Sequence, residues 1–127
     1  MQTDLDSAIA SALSTAKAYW ELAREAVSDG ALPRVQAVTM GKAATEGAAL
    51  VRNVIANAGH RFSPELLTAV RESVADLETL AELAGLAVSY NLTQKNAPHL
   101  ATAMLHTAAQ AVRTLARTEV ALRDANR

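Results

Sequence analysis

From Leu5 onward the chain repeats apolar residues at intervals of three and four. Leu5, Ile9, Leu13, Ala16, Trp20, Ala23 and Val27 fall on one helical face that ends near Gly30, the period of an amphipathic helix with a glycine just past its last turn. Thr3, followed three residues later by Asp6, reads as the N-terminal cap of that helix, and acidic side chains suit the positive helix end. A second helix is expected from Pro33, a residue suited to the first helical position, to about Ala58, ahead of Gly59.

The third helix has the clearest start. Ser63 stands at the N-cap, Pro64 and Glu65 open the first turn, and Phe62 is placed to pack onto Leu67. Its seam runs through Leu67, Val70, Val74, Leu77, Ala81 and Ala84; Val88 and Leu92 stay in line beyond Gly85, so the helix is expected to continue through that glycine to about Asn91. After "TQKN", Asn96 or Ala97 caps a fourth helix ending near Asp124, with Ala101, Met104, Ala108, Ala111, Val112, Leu115 and Leu122 inward. Four helices of similar length with short connections predict an all-α, antiparallel up-down-up-down four-helix bundle, with helices at about 4–28, 33–58, 64–91 and 97–124 in one domain over 1–127.

Charge supports this order. Residues 1–30 carry two basic and five acidic side chains, 31–62 four and one, 63–92 one and five, and 93–127 five and two. The sign alternates helix by helix, so in a square bundle every neighbour is of opposite sign and each diagonal pair shares one. Single exposed pairs contribute only ~0.2–1 kcal/mol, so the alternation selects topology more than it adds stability.

The second helix raises the main question. Within "GKAATEGAA", Gly41 and Gly47 interrupt a helical pattern whose small residues form two adjacent stripes, Ala37, Gly41, Ala44, Ala48 and Ile55 beside Ala43, Gly47, Leu50 and Val54. Each internal glycine costs about 1 kcal/mol relative to alanine, so something must approach closely to compensate. In the antiparallel pairing Gly41 falls near the level of Trp20, whose indole is expected to enter the gap, with a close contact to another subunit or a cavity lined by this helix as the alternatives. Trp20, Gly41, Ala44, Gly47 and Ala48 are therefore the candidate close-packing or ligand-lining set.

Known chemical motifs are missing. A phosphate loop needs glycine five residues before "GK" and a hydroxyl residue after it, where this chain has Gln36 and Ala43. None of the three histidines follows a glutamate by three residues, as carboxylate-bridged di-iron bundles require. His99 and His106 share a face but stand about 10.5 Å apart along the helix, too far for one metal. The absence of cysteine removes disulfides and thiolate chemistry. No metal or cofactor is expected.

Two constellations carry some chemistry. His99, His106, Arg113 and Arg117 line the outer face of the fourth helix, either as a plain solvated face or as an anion- or partner-binding stripe. Glu119 falls among apolar positions between Leu115 and Leu122, and either reaches water near the helix end or points inward and pairs with Arg52 or His60, structurally or as an acid–base group. At a net charge of −1, with no aromatics among the basic residues, nucleic acid is not an expected partner.

Half of the residues are hydrophobic, but roughly a quarter of the chain is alanine and only 3% is aromatic. A core built this way brings its helices close together or borrows surface from a partner. The opening "MQTDLD" lacks the features of a secretory signal, and the uncharged run from Asn96 to Val112 holds two histidines, so a cytoplasmic protein without membrane contact is expected. Arginine outnumbers lysine nine to three, which with the alanine suggests a GC-rich bacterial genome.

The segment "VQAVTMGKAATEGAALVRNVIANAGH" resembles in composition the alanine-rich, glycine-terminated helix of acyl-CoA dehydrogenase C-terminal domains. The arginine-rich segment that follows it in that family is replaced here by "FSPELLTAVRESVADLE", so no flavin or substrate residue carries over. Three functional readings follow from the residues themselves. The first is a non-enzymatic helical assembly or interaction module, a homodimer or other homo-oligomer. The second is a bundle holding a small apolar ligand or cofactor against the glycine- and alanine-rich helix 33–58. The third is a small enzyme using Glu119 with His60.

Overall fold

The computed structural model describes residues 2–30, 32–58, 62–89 and 97–125. They form four helices, α1 (Gln2–Asp29), α2 (Arg34–Ala58), α3 (Pro64–Ser89) and α4 (Ala97–Ala125). Most boundaries have a visible local cause. Gly30 adopts φ of 73° and donates its N–H to the Ala26 carbonyl at 2.8 Å, closing α1 in the left-handed conformation glycine tolerates. Ser63 caps α3 as the sequence predicts: its Oγ accepts the Leu66 N–H at 3.2 Å, and its carbonyl accepts the Leu67 N–H at 3.0 Å.

Two starts differ from expectation. Pro33 stands one residue outside α2, and its carbonyl accepts the Ala37 N–H at 3.0 Å, so it occupies the cap and not the first helical position. Thr3 lies inside α1, which already includes Gln2, and so does not cap it. As expected, α3 continues through Gly85; it is described as far as Ser89, and the expected end near Asn91 lies outside the described residues.

Helix α1 packs on α2 and α4, and α3 packs on the same two, leaving α1/α3 and α2/α4 as the diagonals of a four-helix square. The registers are antiparallel. Gly41 approaches Ala84 while Gly47 faces Leu77 across α2/α3, and Ser73 meets Thr118 while Asp76 meets Gln110 across α3/α4. Every packed pair thus joins helices of opposite net sign, as the charge pattern requires.

Leu5, Ile9, Leu77, Leu80, Met104, Leu115 and Leu122 form the bulky part of the core, interleaved with buried Ala12, Ala16, Ala44, Ala108 and Ala111. So many small side chains let the helix axes approach toward the short end of the usual ~8–10 Å. The aromatic that fills the centre is Tyr19, fully buried, with its hydroxyl donating to the Leu80 carbonyl at 2.7 Å. Burial pushes its phenol well above the ordinary tyrosine range.

The expected seam of α1 holds at Leu5, Ile9, Leu13, Ala16 and Ala23 and fails at Trp20 and Val27. Ala8, Ala12, Tyr19 and Ala26 are buried beside Leu5, Ile9, Ala16 and Ala23, whereas Trp20 is half-buried and Val27 is 40% exposed. A bundle helix faces two neighbours and a diagonal, so its buried arc is wider than one row of apolar residues, and here it turns toward α2. Leu50, placed by the sequence on the buried arc of α2, is 49% exposed, because the buried row of that helix runs through Ala44, Ala48 and Val51 and Leu50 points away from it.

Candidate functional site

The glycines of α2 differ from each other. A Cβ on Gly41 would lie 2.9 Å from the Cβ of Ala84 and 3.8 Å from the Ala81 carbonyl oxygen, so α2 and α3 touch here almost backbone to backbone. Gly47 is looser: its added Cβ would meet Leu77 Cδ1 at 3.8 Å, an ordinary contact. The neighbour that Gly41 admits is therefore α3, and the expectation that Trp20 fills this gap is wrong. Ala44 and Ala48 complete the buried stripe of α2.

Trp20 instead sits between α1 and α4, in a shallow groove with Lys17, Ala109 and Val112. The Arg24 guanidinium lies 5.5 Å from the indole centroid and also reaches Glu21 at 2.8 Å. Its indole thus packs on side chains of α1 and α4, away from the wall of α2 where the sequence placed it.

Close approach at Gly41 has an outward consequence. Small residues on both helices leave a groove of about 310 Å³ on the α2/α3 face, with Val38, Gly41 and Lys42 on one wall and Ala81, Gly85 and Val88 on the other. The register that sets Gly41 against Ala84 brings Val38 level with Ala87, and Leu86 level with Thr39. Val35 is 78% exposed, Val38 48% and Leu86 42%. Val38 lines this groove, whereas Val35 and Leu86 stand at the same end of the bundle but are not among its lining residues. Gly85 has no heavy atom within 4 Å of its would-be Cβ, so nothing in the chain makes use of its missing side chain.

Between α3 and α4 runs a polar seam that the sequence reading missed. Ser73 and Thr118 are fully buried with their hydroxyl oxygens 3.2 Å apart. Each is also placed to donate to the carbonyl four residues earlier, Ser73 to Ala69 at 3.0 Å and Thr118 to Thr114 at 2.9 Å. Two hydroxyl hydrogens serve three contacts. One turn away Asp76 Oδ1 accepts from Gln110 Nε2 at 3.2 Å, while Oδ2 is shut off from solvent with no hydrogen-bond partner among the described residues. Desolvation raises the Asp76 carboxyl above its usual range, and Glu72 adds to this; the neighbouring Thr114 hydroxyl and the Gln110 amide oppose it. A carboxylate at a half-buried helix flank reads in sequence as a solvated charge, and only the approach of α4 makes it otherwise.

Of the two readings of Glu119, the one in which it reaches water holds, and it forms no pair with Arg52. Thr118 takes the inward position, and Glu119, 37% exposed at its side chain, contacts Arg123 on its own helix at 3.9 Å. Arg52 reaches across the bundle's other seam to Glu78 of α3. His60 lies outside the described residues. His99, His106, Arg113 and Arg117 are all exposed on the outer face of α4, where the sequence placed them.

Among the described residues no group of three or more His, Asp or Glu side chains is placed to hold a metal ion. No described helix is long and apolar enough to cross a membrane. No protein-family model, curated protein or solved structure matches the chain.

Proposed function

We infer that the protein is a non-enzymatic helical interaction module, and that its working surface is the α2/α3 face. The observation that carries this reading is the groove where Gly41 and Ala84 meet, with exposed Val38 on one wall and half-buried Val88 on the other. Isolated exposed apolar residues are ordinary, but a groove walled by small and apolar side chains is a surface that gains by being covered. The rigid close contact beneath the groove also favours docking, since a partner would meet a preformed shape.

Sedimentation velocity from micromolar to millimolar concentration tests this. The reading expects reversible self-association that the single change Val38→Asp abolishes while the helical circular dichroism spectrum and melting temperature stay at parental values. A particle that remains monomeric throughout, and that no other protein binds at this face, defeats it. A bound apolar molecule detected by native mass spectrometry, lost on Val38→Asp, would replace it with the ligand-binding reading.

A further inference from the structure

Resting on the interaction-module reading, we propose that the partner at the α2/α3 face is a second copy of this chain, related by a two-fold axis running along the groove, parallel to the helices. The argument is one of charge and level. Lys42 lines the groove on the α2 side. Glu82, exposed and three residues before Gly85, shares that residue's face on α3. With Gly41 set against Ala84, the levels of Lys42 and Glu82 differ by one residue, about 1.5 Å. Among the described residues neither forms an ion pair within the chain.

A two-fold axis parallel to the helices preserves level and exchanges sides. It sets Lys42 against the partner's Glu82 and Glu82 against the partner's Lys42, at the rims of one apolar strip. A two-fold axis in the same face but perpendicular to the helices would lay basic α2 on the partner's α2 and acidic α3 on its α3. The alternation that orders the four helices within the chain therefore selects one dimer symmetry and rejects the other.

Size is compatible with a stable pair. The 25 residues of α2 make a helix about 37 Å long. With α3 beside it the face is about 18 Å across, an area of the order that specific interfaces bury on each partner, about 800 Å². Gly85 gains a role in this arrangement, because its bare backbone lets the two copies approach over the groove.

The test combines charge reversal with added bulk, read by sedimentation equilibrium. Lys42→Glu and Glu82→Lys should each weaken dimerisation about tenfold, since two symmetric pairs each contributing ~0.2–1 kcal/mol turn from attraction to repulsion. The double variant should restore it. Gly85→Leu meets nothing within the subunit, so it should keep or raise the melting temperature of the dilute monomer while the dimer is lost. A dimer untouched by all four variants overturns this symmetry and this face but leaves self-assembly standing. Equal weakening by both single changes without rescue in the double variant overturns the reciprocal pairing. A wild-type chain that stays monomeric overturns the proposal outright.

Discussion

The hydroxyl of Tyr19 on α1 donates to the carbonyl of Leu80 on α3 across the diagonal of the bundle, at 2.7 Å. This hydrogen bond joins two helices that are not packed neighbours, and so fixes the width of the core from corner to corner. Tyr19→Phe should cost about 0.5–1.5 kcal/mol in urea unfolding, the low side of a buried loss, because the Leu80 carbonyl keeps its own helical partner.

The same residue gives a pH signature. Its folded-state phenol titrates above its unfolded value of about 10, so between the two the unfolded chain releases the proton first. Stability should fall as pH rises above about 10, and Tyr19→Phe should remove that component. Melting curves between neutral and strongly alkaline pH would show it; identical alkaline slopes in parent and variant would place the phenol in solvent.

Gly41 and Gly47 should respond to alanine with opposite signs. At Gly47 the new methyl meets only Leu77 Cδ1 at van der Waals distance, so Gly47→Ala should stabilise by up to ~1 kcal/mol. At Gly41 it would collide with Ala84, and Gly41→Ala should destabilise by ~1–3 kcal/mol. Combining Gly41→Ala with Ala84→Gly should recover part of that loss, a coupling measurable in a double-mutant cycle.

The pattern of apolar positions was enough to read the helices, their order, the α3 cap and the continuation through Gly85, because each rests on period, capping chemistry or chain length. Which aromatic is central was not legible. Tyr19 and Trp20 differ by 100° on the helix, and the choice depends on how far α1 rolls toward α2, which only packing decides. Asp76 and Glu119 exchange roles for a related reason. Each borders an apolar row, and the neighbouring helix determines which of the two loses its water.

Ser73 and Thr118 should tolerate loss of their hydroxyls. With two hydrogens for three contacts, removing one partner leaves the other free to donate to its own helix carbonyl. Ser73→Ala and Thr118→Val should each cost less than ~1 kcal/mol, and the double variant should be neutral or stabilising, since no polar group is orphaned. A double variant that loses its sharp unfolding transition would instead assign the pair to holding the α3/α4 register.

Asp76→Asn should stabilise the fold at neutral pH. The raised carboxyl pKa means the folded chain holds that proton more tightly than the unfolded one, so parental stability should rise as pH falls through the folded value and level off below the unfolded one. In the asparagine variant this rise should vanish. Thermal melts at closely spaced pH values just above the ordinary carboxylate range would read the difference.

The alanines of the core also shape the unfolded chain. Alanine has no rotamer freedom to lose on burial and is the strongest helix former, so ordering Ala12, Ala16, Ala44, Ala108 and Ala111 takes little side-chain entropy and the same segments retain fleeting helix after the bundle opens. Each alanine also exposes less apolar surface on unfolding than a leucine would, which keeps the heat-capacity increment small. The stability curve of such a bundle should therefore be broad and shallow in temperature, and its heat-denatured state should retain measurable helical ellipticity.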